Sequence, residues 1–394
     1  MELTRKQEEG LRIAVERFKA GEKYTCISGY AGSGKSTLVN FIVAALNVPP
    51  ENVGYVAFTG KAAMVLQSKG CKTAQTAHKL LYHAKMKADG TYMFFPKAEL
   101  DEPYQVIVVD EISMLPLDMW TLLLNHPVYI LALGDPGQLP PVAKDQNNHV
   151  LDHPHVFLDE IMRQAKESEI IQLSMHVREG KPISSFQSGN RQVMIYPQSA
   201  VSQGMYKWAD QIICGKNETR KNINAHVRTG LGFPQTPQIG DKIVCNSNHW
   251  DYFSALGTWS LTNGSIGEII KMENKLITFP YYLHLPAINY MMTDVQLPDG
   301  DVFRHLPIDY KFLLTNEPTL TGQQIALMKK SKKVTIDPPM DFEYGYAITC
   351  HKSQGSSWPK VLLWEEPFGT SEEKTRWLYT AITRAEDKLV VLKR

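Results

Sequence analysis

GYAGSGKS, residues 29–36, decides how the chain is read. The residues before it, 23–28, suit a strand, and residues 37–46 suit a helix with apolar side chains on one face. Strand, glycine-rich turn and helix form the context in which G-x-x-x-x-G-K-[ST] binds phosphate. Glycines let backbone N–H groups curl around phosphate oxygens, and the helix N-terminus adds the positive end of its dipole. Gly29, Ala31, Gly32, Ser33, Gly34 and Thr37 are expected to build the cradle, Lys35 to reach the β and γ phosphates, and Ser36 to hold Mg²⁺. An accidental match arises about once in a hundred chains of this length, before strand and helix are counted. The starting point is an α/β nucleoside triphosphatase.

Working outward, such an enzyme needs a second magnesium partner and an activator for water. VIVVDE, residues 106–111, provides a buried parallel strand ending in two carboxylates. Asp110 is expected to bind Mg²⁺ through water, and Glu111 to act as general base. A third strand, 128–133, runs into GDPGQLPP, residues 134–141. Prolines and glycines alone would make that a plain loop. Asp135 and Gln138 at the carboxyl edge of a sheet suggest more, with Gln138 on the γ-phosphate or the attacking water.

Composition sets the frame. The 394 residues suffice for two or three domains, and 43% hydrophobic with 21% charged residues is ordinary for a globular protein. The net charge of +1 neither implies nor excludes nucleic acid, since a basic groove can hide in a neutral total. No apolar run is long enough to span a bilayer and no signal-peptide pattern opens the chain. Cys26, Cys71, Cys214, Cys245 and Cys350 form no C-x-x-C pair, so reduced thiols, no zinc site and a cytoplasmic setting are expected.

Four long segments occur in one order: GYAGSGKS, VVDEISM, GDPGQLPPV and, at 351–358, HKSQGSSW, followed by YTAITRA at 379–385. Together they resemble the superfamily 1 DNA helicases, more narrowly the RecD-like branch that includes the phage Dda-type enzymes. The resemblance runs from about Leu3 to the C-terminus. It implies an α/β fold of two RecA-like parallel-sheet motor domains, residues 1–150 and then 151–235 with 334–394. A small β-barrel is expected at 236–333, and a hairpin pin within 83–103. By the same resemblance Gln7, in Leu3-Thr4-x-x-Gln7, recognises adenine. Arg163 and Arg384 point from the second motor domain at the γ-phosphate, with Arg178 a rival to Arg163. Gly355 lies near the nucleotide.

The resemblance also implies a single-strand track. Phe58, Thr59 and Lys61 follow one strand, and Thr76 and His78 stand at a similar edge. Hydroxyls and imidazoles there can bind phosphates, while on residues alone Thr59 and Thr76 suit helix caps and His78 a satisfied core position. Thr349, His351, Lys352 and Ser353 are the further phosphate contacts. In the hairpin, around an Asp89-Gly90 turn, Phe94 and Phe95 either stack on the terminal base pair or pack the hairpin down. Asn217, Arg220 and Asn224 either face the nucleotide or decorate a helix, and Lys329, Lys330, Lys332 and Lys333 read as a solvated helix end.

The implied activity is ATP- and Mg²⁺-dependent translocation on single-stranded DNA, 5′ to 3′, with unwinding of forked or tailed duplex. A monomer is expected, off the membrane, with a single-strand-binding or replisome protein as partner. The chain is shorter than bacterial RecD relatives, which suggests a stand-alone phage-type enzyme. An ATPase that loads protein–DNA complexes, or the motor subunit of a nuclease complex, is the rival.

Overall fold

A computed structural model describes residues 3–86, 92–140, 146–257, 259–278, 287–321, 324–325 and 338–394. Asp89, Gly90, Pro141, Val142 and the lysines at 329, 330, 332 and 333 lie outside them. In chain order come β1 (Tyr24–Gly29), β2 (Val53–Ala57), β3 (Gln75–Thr76), β4 (Tyr82–Met86), β5 (Tyr92–Pro96), β6 (Val106–Val109), β7 (Tyr129–Gly134) and β8 (Val156–Leu158). Next are β9 (Val193–Pro197), β10 (Gln211–Cys214), β11 (Lys242–Cys245), β12 (His249–Phe253), β13 (Ser260–Leu261) and β14 (Ile266–Ile277). The last are β15 (Ile288–Gln296), β16 (Val302–Asp309), β17 (Phe342–Tyr344), β18 (Ala347–Thr349), β19 (Trp358–Trp364) and β20 (Ala385–Lys393).

The chain divides into two compact units. The first holds Met1–Tyr82, Pro96–Arg220 and Ile348–Arg394. It is built on two sheets, ordered β3-β2-β6-β7-β1-β8 and β18-β10-β19-β20-β9. In the first sheet β1, β2, β6, β7 and β8 pair in parallel, and β6 and β7 are buried throughout. Covered on both faces, such strands read as unbroken apolar runs, which is why VIVV and YILALG need no polar alternation. The register sets Ser28 opposite Gly134, Val109 opposite Ala132 and Val56 opposite Val109. The carboxyl ends of β1, β6 and β7 are therefore level, and the loops carrying GYAGSGKS, Asp110-Glu111 and Asp135–Gln138 leave the same edge. That edge is where an α/β sheet binds its ligand.

The second sheet is parallel from β10 through β19 and β20 to β9. Leu173 and Val177 of the helix Glu169–Arg178 and Trp377, Leu378 and Ile382 of the helix Ser371–Ile382 fill its core with Val361, Leu363, Leu389 and Val391. Two parallel sheets in a mixed α/β chain match the expected pair of RecA-like sheets.

The second unit gathers His83–Phe95 with Lys221–Ala347. It carries an antiparallel sheet, β16-β15-β14-β11-β17, a two-stranded β12-β13 pair and the β4-β5 hairpin. Its range is wider than the 236–333 expected from sequence and takes in most of the helix Asn217–Gly230. Arg228 fixes that helix: Nε and Nη2 donate to Asp241 Oδ1 and Oδ2 at 2.8 and 3.0 Å, and the guanidinium carbon lies 4.2 Å from the Tyr344 ring centroid. Asn224 donates to the Tyr344 and Ala347 carbonyls and accepts from Ala347 N, so it pins this unit and is not a nucleotide ligand.

All five cysteines are free, and burial pushes Cys26 and Cys350 up to about 12, so these two are thiols at neutral pH. Among the described residues no helix is long and apolar enough to cross a membrane.

Candidate nucleotide and nucleic-acid site

Gly32 and Gly34 have φ of 77° and 79°, the left-handed region that a side chain resists. A Cβ on Gly34 would also stand 2.5 Å from Gln7 Nε2. The helix Lys35–Leu46 begins without a side-chain cap, which leaves its first N–H groups for an anion. Lys35 Nζ folds back onto the loop's own carbonyls, Gly29 O at 2.6 Å and Tyr30 O at 3.1 Å. Ser28 Oγ and Ser33 Oγ are buried without a hydrogen-bond partner. A positive, uncapped cradle with idle donors fits a polyphosphate, and the oxygens of Ser36 and Asp110 are the hard donors Mg²⁺ prefers.

Gln7 is buried by a double commitment. With Thr4 it forms a capping box, Gln7 N to Thr4 Oγ1 at 3.3 Å and Thr4 N to Gln7 Oε1 at 3.0 Å. Its Nε2 makes long bonds to the carbonyls of Ser33 and Gly34. In this structure the carboxamide braces the phosphate loop, so an adenine contact would have to share it.

At the end of β6, burial and the neighbouring Glu111 push the Asp110 carboxyl up to about 6, with Lys35 opposing them. Glu111 holds φ at 52°, a strained conformation for a glutamate and one that recurs at functional sites. Gln138 Nε2 donates to Glu111 Oε1 at 3.3 Å, and Gln138 Oε1 is buried with no partner. The expected base and the expected sensor thus touch, and the sensor keeps one acceptor in reserve.

The second sheet's elements are bonded onto this edge through Tyr379 and Thr380, whose roles sequence reading passed over, and through Gln354. Tyr379 Oη donates to Asp135 Oδ2 at 2.6 Å and accepts from Ala31 N at 2.8 Å. Asp135 Oδ1 in turn accepts from Gly137 N at 2.9 Å, next to Gln138. Burial raises the Asp135 carboxyl, while Lys35 and the Tyr379 hydroxyl oppose that shift. Thr380 Oγ1 accepts from Leu139 N at 2.9 Å and Gln354 Nε2 donates to Leu139 O at 2.9 Å. Met162 N donates to Gly32 O at 2.9 Å, carrying the segment before Arg163 onto the phosphate loop. Arg163 itself begins a short helix, Arg163–Lys166. The signal for Tyr379 was present: an aromatic within YTAITRA, ahead of the expected arginine.

Arg384 is buried and donates to Thr380 O, Ser356 O and Thr383 Oγ1 at 3.0, 3.2 and 3.1 Å. Its guanidinium closes its own helix end here. Two residues of the polar loop depart from expectation. Ser353 is fully buried and gives its hydroxyl to Cys350 O at 2.6 Å, so it offers no phosphate contact. Gly355, at φ 71°, has Ala62 and Thr59 as its nearest neighbours, since a Cβ there would meet Ala62 Cβ at 2.7 Å. Its Cα thus faces the segment that carries Thr59 of the expected strand track.

Along that track Thr59 and Thr76 cap helices, accepting from Ala62 N and Lys79 N at 3.2 Å each. His78 stands between the rings of Phe58 and Tyr82, and burial lowers its pKa, so it is neutral at pH 7. Lys61 Nζ lies 4.0 Å from the Trp358 ring centroid. Thr349 is buried, whereas His351 and Lys352 are half-buried, the His351 ring 5.9 Å from that of Phe368. In the second unit Phe94 and Phe95 of β5 are 39% and 45% exposed.

A family model for the AAA domain matches residues 2–198, and one for the UvrD-like helicase C-terminal domain matches residues 344–392. The ATP-dependent RecD2 DNA helicase of Deinococcus radiodurans is 25% identical over 396 residues, 94% of this chain and 47% of the relative. The ATP-dependent DNA helicase dda of Enterobacteria phage T4 is 28% identical over 193 residues, 46% of this chain and 43% of the relative. The chain thus spans about half the length of the first of these curated relatives. Among solved structures, Bacteroides Pif1 bound to ssDNA has a TM-score of 0.57 at 16% identity, over 99% of this chain and 92% of that one. That likeness fixes the fold.

Proposed function

Since this chain belongs to the AAA-domain family and, by its ordered motifs, to the RecD-like branch of superfamily 1 helicases, we propose that it hydrolyses ATP to move along single-stranded DNA, 5′ to 3′, and to unwind duplex DNA. The observation that carries this reading is the bonding of the second sheet's elements onto the catalytic edge of the first. Tyr379, Thr380 and Gln354 all hold the loop 134–139, whose Gln138 touches Glu111. A phosphate at this edge therefore bears on both sheets at once, which is what a motor that moves one half against the other requires.

The residues divide the chemistry among them. Lys35 leaves its loop carbonyls for phosphate oxygens, and the uncapped amides from Gly34 onward bind the same charge. Glu111 accepts the proton of the attacking water, and Gln138 orients both. A magnesium ion held by Ser36 and Asp110 would supply neutralising charge on the phosphates. On the strand track the neutral His78, the half-buried His351 and Lys352, and the cap positions of Thr59 and Thr76 offer donors to a DNA backbone.

Glu111→Gln should abolish turnover, with single-strand binding within about two-fold of the parent; normal turnover in that variant would remove the base assignment. Strand displacement on tailed duplexes tests the polarity. The expected result is unwinding from a 5′ tail and none from a 3′ tail. Unwinding of neither would favour an ATPase that loads or remodels protein–DNA complexes.

A further inference from the structure

Lys97 is buried within a run of chain that is otherwise exposed, Met93, Phe94, Phe95 and Pro96 before it and Ala98 and Glu99 after it. Its ammonium finds two acceptors, Lys79 O at 2.8 Å and Asp101 Oδ2 at 2.5 Å, and its backbone N donates to Leu81 O at 2.8 Å. Lys79 and Leu81 lie in the last turn of the helix Ala77–Leu81, where a cation meets the negative end of the helix dipole. Taking an ammonium out of water is costly even when it is paired, and an apolar side chain of similar volume commonly fills such a place without loss of stability. What the pair supplies beyond an apolar contact is a fixed position.

That position is the root of the β4-β5 hairpin. Tyr82 begins the first leg and Pro96 ends the second, and the division between the two compact units crosses the chain after Tyr82 and before Pro96. A two-stranded hairpin is marginal by itself, so the points at which its legs leave the first unit govern how it is presented. Both points trace to one short helix. The first leg continues from Ala77–Leu81, with the Tyr82 ring 6.2 Å from that of His78. The second leg is tied back to the same helix by Lys97. The helix is fixed in turn: Thr76 caps it, Leu80 and Leu81 are buried in the core of the first sheet, and the His78 ring stands 5.8 Å from that of Phe58. Thr76 and His78, expected to touch the strand, and the hairpin, expected to split the duplex, therefore share one anchor.

We propose that Lys97 is a positioning residue for strand separation, its ammonium locking the hairpin root to the helix that carries Thr76 and His78. The inference rests on the reading of the hairpin as the element that splits the duplex and of this helix as part of the strand track. None of the residues assigned to nucleotide chemistry bonds to Lys97 or Asp101. Loss of the lock should therefore separate unwinding from hydrolysis.

Three measurements on the full chain test it: unwinding of a 5′-tailed duplex, hydrolysis stimulated by single-stranded DNA, and thermal unfolding. Lys97→Met keeps the length of the stem and removes the charge. It should lower unwinding about ten-fold, the scale of one hydrogen bond to a charged group, with stimulated hydrolysis and melting temperature at parent values. Lys97→Arg restores a cation to the same acceptors and should recover most of the unwinding. If Lys97→Met does not fold, Asp101→Asn decides, since that side chain is 63% exposed and its loss unpairs the ammonium without opening the core. A reduced ratio of unwinding to hydrolysis in Asp101→Asn supports the proposal, and a parent ratio overturns it. Parent-level unwinding in Lys97→Met, or a proportional fall of unwinding and hydrolysis, would make Lys97 a packing residue and likewise overturn it. The double replacement of Phe94 and Phe95 with alanine separates the two readings. If that variant unwinds as the parent does, the hairpin itself is misread and the role of Lys97 falls with it. If it fails to unwind while Lys97→Met unwinds normally, only the role of Lys97 fails.

Discussion

Tyr379 contributes one hydroxyl, and three parts of the chain meet on it. Ala31 N donates to it, and it donates to an Asp135 carboxylate whose other oxygen holds Gly137. Tyr379→Phe removes one donor and one acceptor from a buried site, which should cost about 1–3 kcal/mol in urea unfolding and lower kcat more than it raises KM. Unchanged stability and turnover would mean that the hydroxyl couples nothing. The turn at Gly34 and the helix start at Lys35 were legible because their geometry is set within eight consecutive residues. Tyr379 and Ala31 lie 348 positions apart, and nothing in either local sequence announces the other. Ser353 shows the converse limit: a serine in a polar loop reads as a ligand, and only tertiary packing reveals that it is fully buried on Cys350 O.

At the scale of elements, Glu169 opens the helix that ends in Arg178 and ties it to β9. Its carboxylate accepts from Asn190 N at 2.6 Å, Ser188 Oγ at 2.8 Å, Gln192 N at 2.9 Å and Val193 N at 3.2 Å, and also from Gly189 N. Burial alone would raise this carboxyl, but the donors outweigh it and hold it at about 2, below the ordinary 4.5. A depressed carboxylate stabilises the fold above its unfolded value and loses that contribution as pH falls through its folded one. Glu169→Gln should therefore cost about 2–3 kcal/mol at pH 7, with the gap to the parent closing as pH falls from about 4.5 towards 2. A gap that stays constant with pH would show that charge is not what holds the loop 188–193. Parallel strands such as VIVV and QIIC were readable as apolar runs. β15 and β16 were not, because their side chains alternate irregularly between buried and exposed and the pairing across β14 carries bulges.

Over the whole molecule, the motor sheets belong to one compact unit and the hairpin aromatics to the other. The sequence told the motor sheets from the inserted strands by ordered motifs on one side and a change to turns and short strands on the other. It placed the hairpin within the first motor domain, 1–150, whereas His83–Phe95 group with the second unit. It set the borders of the second unit too narrowly because the helix Asn217–Gly230 looks like motor-domain helix until Arg228 and Asn224 are seen holding insert residues. If the exposed Phe94 and Phe95 separate strands, replacing both with alanine should lower unwinding severely while leaving DNA-stimulated hydrolysis intact. The steady-state ATPase rate with and without single-stranded DNA tests the central claim, that phosphate and strand are read by one coupled edge. Hydrolysis should rise at least ten-fold with DNA and be abolished by Glu111→Gln under both conditions. A parent rate indifferent to DNA would contradict the account.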